Sequence, residues 1–245
     1  TGPGAPGTTE SPRTTEAAPT TDAEVVMVGE RTAIPGGDDC RCSDGSPFEL
    51  WERPADPTKV VLYFQGGGAC FSAETCAPDS GTYTPNLTIG AAPDFGGIFD
   101  ETNPENPLAG HSIVYVPYCT GDVHLGDQVT EYSDTVTIDH NGFPNARKGL
   151  DTVLANYPDV EQLVVVGASA GSIPTPAFAG LAADVLPDTE IVTFGDSSAA
   201  SGLSGFTAVN RSRLLVRSRS GMCSSSRLRT DRRNSPRSRR RIRKQ

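Results

Sequence analysis

Leu163-Val164-Val165-Val166-Gly167-Ala168-Ser169-Ala170-Gly171 is the stretch from which the rest of the chain is read. Its apolar run, three of the four residues β-branched, describes a strand buried on both faces, as in a parallel sheet. The run stops at a small-Ser-small turn between two glycines. Phe178, Leu181, Ala182 and Val185 then fall at i, i+3, i+4 and i+7, one apolar helical stripe. Strand, G-x-S-x-G and helix together form a nucleophile elbow, which holds a serine hydroxyl out from the strand end. Glycine-like neighbours tolerate the crowding and unusual backbone angles of so sharp a turn. The helix behind it is expected to aim its first N–H groups at a developing oxyanion. The plainer reading is an ordinary strand–helix turn in a nucleotide-type sheet.

Outward from this stretch the chain alternates. Residues 24–28 read as the first ordered strand, followed by a Gly- and Asp-rich loop and a strand around 47–51. Residues 59–64 read as a buried central strand that ends in Gln65-Gly66-Gly67-Gly68-Ala69-Cys70. Consecutive glycines at a strand's C-terminal end leave backbone N–H groups unobstructed, and Gly66 and Gly67 are candidates for a second set of oxyanion donors. A flexible surface loop is the simpler alternative; phosphate-loop spacing is absent. Residues 71–110 read as a long cleft-lining loop, 112–117 as a strand, 145–157 as a helix and 190–194 as a strand. The fold class expected is α/β, a mostly parallel sheet with helices on both faces and reactive loops at the C-terminal strand ends.

The 245 residues carry a formal charge of −9, but the charge is divided. Residues 1–210 hold seven basic side chains against 29 acidic ones, and residues 211–245 hold 14 basic against Asp231 alone. Residues 1–24, Thr- and Pro-rich without an aromatic residue, read as a disordered linker. The chain opens on Thr1 and is read as a processed form or a fragment. No apolar run approaches the roughly 20 residues of a membrane span. Six cysteines (40, 42, 70, 76, 119 and 223) and three histidines (111, 124 and 140) show no zinc spacing, so no metal or cofactor is expected. Disulfides in an exported, extracellular protein are the better reading, with Cys70 and Cys76 placed to close a short loop. The pairing among Cys40, Cys42 and Cys119 stays open, and reduced buried cysteines are the alternative.

Taken in order, three motifs carry a resemblance. Tyr63-Phe64-Gln65-Gly66-Gly67-Gly68-Ala69-Cys70-Phe71, Val116-Pro117-Tyr118-Cys119-Thr120-Gly121-Asp122-Val123-His124 and Gly167-Ala168-Ser169-Ala170-Gly171 are similar to the pectin acetylesterase/Notum carboxylesterase family. Phe95-Gly96-Gly97-Ile98-Phe99-Asp100, Asn103-Pro104-Glu105-Asn106-Pro107 and Gly195-Asp196-Ser197 match as well, so the likeness spans residues 40–200. It implies an α/β-hydrolase fold, export from the cell and hydrolysis of acyl esters, chiefly O-acetyl groups on polysaccharide. Ser169 then resembles the nucleophile, and the Gly66, Gly67 and Ala170 amides resemble the oxyanion hole. The likeness makes His124 a substrate-cleft residue; Asp196 ends the strand after the elbow, where some hydrolases place the acid. Ser172 stands where many members have a further glycine. The partner implied is an acylated polysaccharide or a small acyl ester met by a monomer, with neither nucleic acid nor a membrane involved.

One requirement of the fold is not met. Its chain order is Ser, acid, His, and no histidine follows Ser169. From Asn210 onward there is no aromatic residue and arginine dominates, whereas no Lys or Arg lies between Lys148 and Arg211. Residues 25–206 are therefore expected to be an incomplete hydrolase domain, inactive for want of a base, and residues 207–245 a disordered tail translated out of frame. A genuine Arg/Ser tail that binds nucleic acid is the rival for those residues. A glycan-binding pseudoenzyme is the rival for the domain. The frame one nucleotide away, translated from about codon 207, is expected to encode acidic α/β sequence supplying an Asp and then a His. An early stop codon, or a shifted frame without histidine, overturns that expectation.

Overall fold

Strand β3 (Asp56–Phe64) is the middle of the sheet because both its faces are apolar. Val60, Leu62 and Phe64 point one way and Val61 the other, and none of the four is exposed. A computed structural model of the chain describes residues 1–2, 28–91 and 96–197, with the backbone of 207–209. The described residues all fall within one compact unit; 210–245, the rest of the expected tail, lie outside the described residues. So do residues 3–27, which include the expected linker and most of the expected first strand.

Seven strands run in the order β1-β2-β4-β3-β7-β8-β9. The central four, β3, β4 (His111–Val116), β7 (Gln162–Ala168) and β8 (Glu190–Asp196), are parallel. β1 (Thr32–Pro35) and β2 (Glu49–Arg53) are antiparallel at one edge, and β9 (Thr207–Val209) is antiparallel to β8 at the other. β9 thus falls in residues that the sequence reading assigned to the tail. Pro57 cannot donate to the ladder, and the register of β3 shifts around it, between Asp56 and Val60. β1 lies in what reads as a Gly- and Asp-rich loop, and the hairpin β5 (Gln128–Ser133) and β6 (Val136–His140) stands apart from the main sheet.

The crossovers decide what covers each face. β3 to β4 steps towards one edge; β4 to β7 and β7 to β8 step towards the other. Parallel crossovers are right-handed, so the first must pass over one face and the latter two over the opposite face. α2 (Gly142–Asn156) and α3 (Thr175–Val185) carry those latter two, and both pack on the face of Leu62, Phe64, Val116 and Val165. On the other face, Val61, Ile113, Tyr115, Val164 and Val166 meet Phe99 of a 3₁₀ turn (Gly97–Phe99) and Leu108. The α/β class with a mostly parallel sheet is as expected; among the described residues both long helices share one face, because the β3–β4 crossover carries only a one-turn helix (Ala73–Cys76) and the 3₁₀ turn.

α2 begins three residues earlier than the periodicity placed it, because Asp122 Oδ2 accepts from Gly142 N at 2.7 Å and caps the first turn. Leu150, Val153 and Tyr157 of its stripe are buried. In α3, Phe178 and Ala182 are buried but Val185, the last of the expected stripe, is 45% exposed. Cys42 pairs with Cys119, tying the loop before β2 to the loop after β4, and Cys70 pairs with Cys76. Cys40 is a buried free thiol, its pKa raised chiefly by that burial. No helix of the described residues is long and apolar enough to cross a membrane. The Cys42–Cys119 bridge closes a loop of 77 residues, and chain entropy makes such a closure worth about 4 kcal/mol. The double variant Cys42→Ser/Cys119→Ser is expected to lower unfolding free energy by that order in urea titration.

Candidate active site

At the end of β7 the chain turns within one residue. Ser169 has φ 50°, a left-handed conformation that a non-glycine residue adopts only when the surroundings hold it there. The two glycines of the motif are what permit it. A Cβ on Gly167 would overlap the carbonyl of Gly171, and a Cβ on Gly171 would overlap the carbonyl of Phe64 at the end of β3. Residues Ser169–Ser172 form a 3₁₀ turn, and α3 begins only at Thr175 with Pro176 in its first turn. A 3₁₀ turn thus stands between Ser169 and α3, and the N–H groups nearest Ser169 are those of the turn. Ser172, where the family resemblance gives glycine, donates its hydroxyl to the Ser169 carbonyl at 2.5 Å, and Thr175 donates to the Ser172 carbonyl at 2.9 Å.

The opposite wall comes from the end of β3. A Cβ on Gly66 would meet the Ala168 carbonyl and, at 3.0 Å, Ser169 Cβ, so this glycine lies directly against the elbow. Among the described residues, neither the Gly66 nor the Gly67 N–H has a hydrogen-bond partner. Gly68 has φ +82°, and a side chain there would strike the carbonyl of Thr82. Gly68, Ala69, Val123, Ser169, Ala170, Ile173 and Ser197 line an open cleft of about 240 Å³. It sits where the crossovers from β3 and β7 diverge, the crevice in which open α/β sheets bind ligands.

The loop after β4 holds the glycine wall in place. Tyr118 N donates to Gln65 Oε1 at 3.1 Å, and Val123 N donates to the Tyr118 hydroxyl at 2.8 Å. Val123 and His124 are both left-handed, with φ 55° and 61°. Two such residues in succession turn Val123 into the cleft and His124 away from it. His124 is 1% exposed, stacked near Phe64 and Tyr118, and its Nε2–H donates to the Gln65 carbonyl at 2.8 Å. Burial pushes its pKa down to about 4, so it is neutral at physiological pH. Asp122 completes the loop by accepting from Thr120 Oγ1, His124 N and Gly142 N. Sequence reasoning put His124 in the cleft; the structure puts it beneath the glycine wall.

Asp196 is exposed at the end of β8, level with Ala168 across the ladder. Ser197, which lines the cleft with φ 59°, donates to Asp196 Oδ1 at 3.1 Å. None of the three histidines lines the cleft. His111 Nε2 bonds Gln162 at the opposite end of the sheet, and His140 lies between the Thr120 carbonyl and the Tyr132 hydroxyl. Ser169 therefore has glycine amides near it, with Asp196 one strand away at the end of β8, but no imidazole of this chain beside it in the cleft.

Two outcomes follow from this geometry. Gly171→Ala forces a methyl into the Phe64 carbonyl and is expected to cost about 2–3 kcal/mol in denaturant unfolding. His124 has a folded pKa near 4 against 6.5 for the free side chain, so below pH 6.5 the unfolded chain binds the extra proton. Its contribution to stability is complete above pH 6.5 and is lost as pH falls towards 4. His124→Gln keeps an N–H for the Gln65 carbonyl and is expected to flatten that part of the stability–pH curve; an unchanged slope overturns the assignment.

Compared by sequence with curated proteins, the chain finds no match. Among solved structures it is similar to the Wnt deacylase Notum from Drosophila, with 20% identity and a TM-score of 0.57. That likeness covers 69% of this chain and 52% of the Notum chain, so this chain spans about half the length of the structure it resembles. It is a likeness of fold. The family model for pectinacetylesterase matches residues 21–200, which contain the glycine wall, the loop after β4 and the elbow. By that match the chain belongs to the pectinacetylesterase family.

Proposed function

We propose that this chain carries the nucleophile and oxyanion half of an exported serine carboxylesterase that removes acyl groups, acetyl above all, from a polysaccharide. The observation that carries the reading is Ser169 at φ 50° with Gly66 packed against its Cβ. A hydroxyl so placed attacks a carbonyl carbon lying in the cleft. The carbonyl oxygen then gains its charge beside the N–H groups of Gly66, Gly67 and Ala170; its collapse breaks the acyl C–O bond, the sugar hydroxyl leaves as the alcohol with a proton, and water later releases the acid from the acyl-enzyme. Membership of the family supports the reaction class, and two disulfides support export. The reaction as read needs no cofactor or metal, and the 240 Å³ cleft takes a small acyl group.

Attack also needs a base to accept the Ser169 proton. No histidine follows Ser169 in the sequence, and the three that precede it are engaged elsewhere in the fold. That observation favours a second reading for the chain on its own, a glycan-binding protein that keeps the cleft without turnover. Serine hydrolases without their histidine lose on the order of a million-fold in turnover. A fluorophosphonate probe, which reacts with activated serines, is expected to label this chain weakly or not at all. Strong labelling abolished by Ser169→Ala shows a base supplied by another residue and removes the second reading. Retention of acetylated but not deacetylated pectin by the unlabelled protein supports the second reading over the first for this chain.

A further inference from the structure

Outside the cleft, one cluster of metal-type ligands comes together that neither the proposed reaction nor the sequence spacing accounts for. Cys70, at the end of the glycine wall, Cys76, at the end of α1 (Ala73–Cys76), and His140, at the end of β6, are all buried. One ligand atom from each lies within 4.8 Å of the other two. The cysteines are joined as a disulfide, so the sulfurs are closed to metal in this state.

The imidazole is already arranged as a ligand. The Thr120 carbonyl can only accept, so His140 Nδ1 carries the proton and donates to it at 2.9 Å. Nε2 is left with its lone pair, and the Tyr132 hydroxyl donates to it at 2.9 Å. A backbone carbonyl on one ring nitrogen fixes the other towards the metal in most histidine sites. Tyr132 is half-buried and is the group that must turn aside, or stay and ligate. Two thiolates and an imidazole are a zinc-type donor set, with the fourth position left to water or to the Tyr132 oxygen.

We propose that Cys70, Cys76 and His140 form a redox-gated site for Zn²⁺ or a similar thiolate-preferring divalent ion, opened when the Cys70–Cys76 disulfide is reduced. A dithiol supplies the two electrons: the protein S–S bond breaks, each sulfur takes one of the dithiol's protons, and the dithiol becomes a disulfide. The divalent ion then displaces both thiol protons to solvent and forms two metal–sulfur bonds and one bond to Nε2. α1 is a single turn and neighbouring Phe71 is 74% exposed, so local opening admits a reductant without unfolding the sheet. Because Ala69 lines the cleft and Cys70 follows it, the metal holds the glycine wall from the same point as the disulfide.

The test uses the full chain, before and after anaerobic treatment with a phosphine reductant, titrated with Co²⁺ as the spectroscopic probe. The oxidised protein is expected to show no thiolate-to-cobalt absorption. The reduced protein should take up one Co²⁺ per chain with tetrahedral bands that Zn²⁺ displaces. Cys76→Ser is expected to abolish the thiolate band, and His140→Gln to weaken Co²⁺ binding at least about tenfold. Should either variant fail to fold, the wild-type protein still decides: Co²⁺ must protect Cys70 and Cys76 from iodoacetamide while leaving Cys40, Cys42, Cys119 and Cys223 as reactive as before. Absence of binding in the reduced protein, an unchanged spectrum in Cys76→Ser, or protection confined to the other cysteines overturns the proposal.

Discussion

The close approach of the Gly171 backbone to the Phe64 carbonyl is the constraint on which the site depends. It locks the turn after β7 against the end of β3, two strands that also share a parallel ladder from Lys59 to Phe64. With no side chain at 167 or 171, the turn closes tightly enough to force Ser169 into its left-handed conformation. The same approach brings Gly66 against Ser169 Cβ, so the serine and the glycine amides are positioned by one contact rather than two. Ser172 and Thr175 then satisfy the carbonyls that the tightened turn leaves over.

The topology explains why the cleft opens there. The connections from β3 and β7 leave on opposite faces of the sheet, and a gap remains between their C-terminal ends. The helices occupy one face, so the loop between β3 and β4 is free to cover the other and to bring Phe99 and Leu108 onto it. It also leaves the glycine wall without a helix of its own to lean on. Its support comes instead from the loop after β4, through Tyr118, Asp122 and His124, and from the Cys70–Cys76 pair.

What could be read in advance follows from this division. β3, β4, β7 and β8 were legible because buried parallel strands are continuous apolar runs, and the elbow because its glycines are required sterically within a few residues. β1 was not, being four residues ending in Pro35, and β5 was not, since Gln128–Ser133 is a polar strand in a separate hairpin. The Asp122 cap escaped notice because it reaches Gly142 across 20 residues, leaving α2 without a local capping signal. His124 was misplaced for a backbone reason: two successive positive φ values reverse which neighbour faces the cleft, and neither Val nor His announces such a conformation. The Cys42–Cys119 pairing was one of three, and only the approach of the two loops selects it.

The arrangement separates the parts of a hydrolase site by how local they are. Ser169 and the proposed oxyanion donors Gly66, Gly67 and Ala170 rest on β3, β7 and the loops at their ends, all between residues 56 and 172. A base belongs to a different layer. In this fold it follows the nucleophile in the chain, after the acid. Among the described residues β8 is followed at the sheet edge by β9, which runs antiparallel to it and pairs with Ile191, Val192 and Thr193. Asp196 and the cleft-lining Ser197 lie past the end of that pairing. The rim where Ser197 meets the cleft beside Ser169 is therefore the side from which a base following β8 would approach.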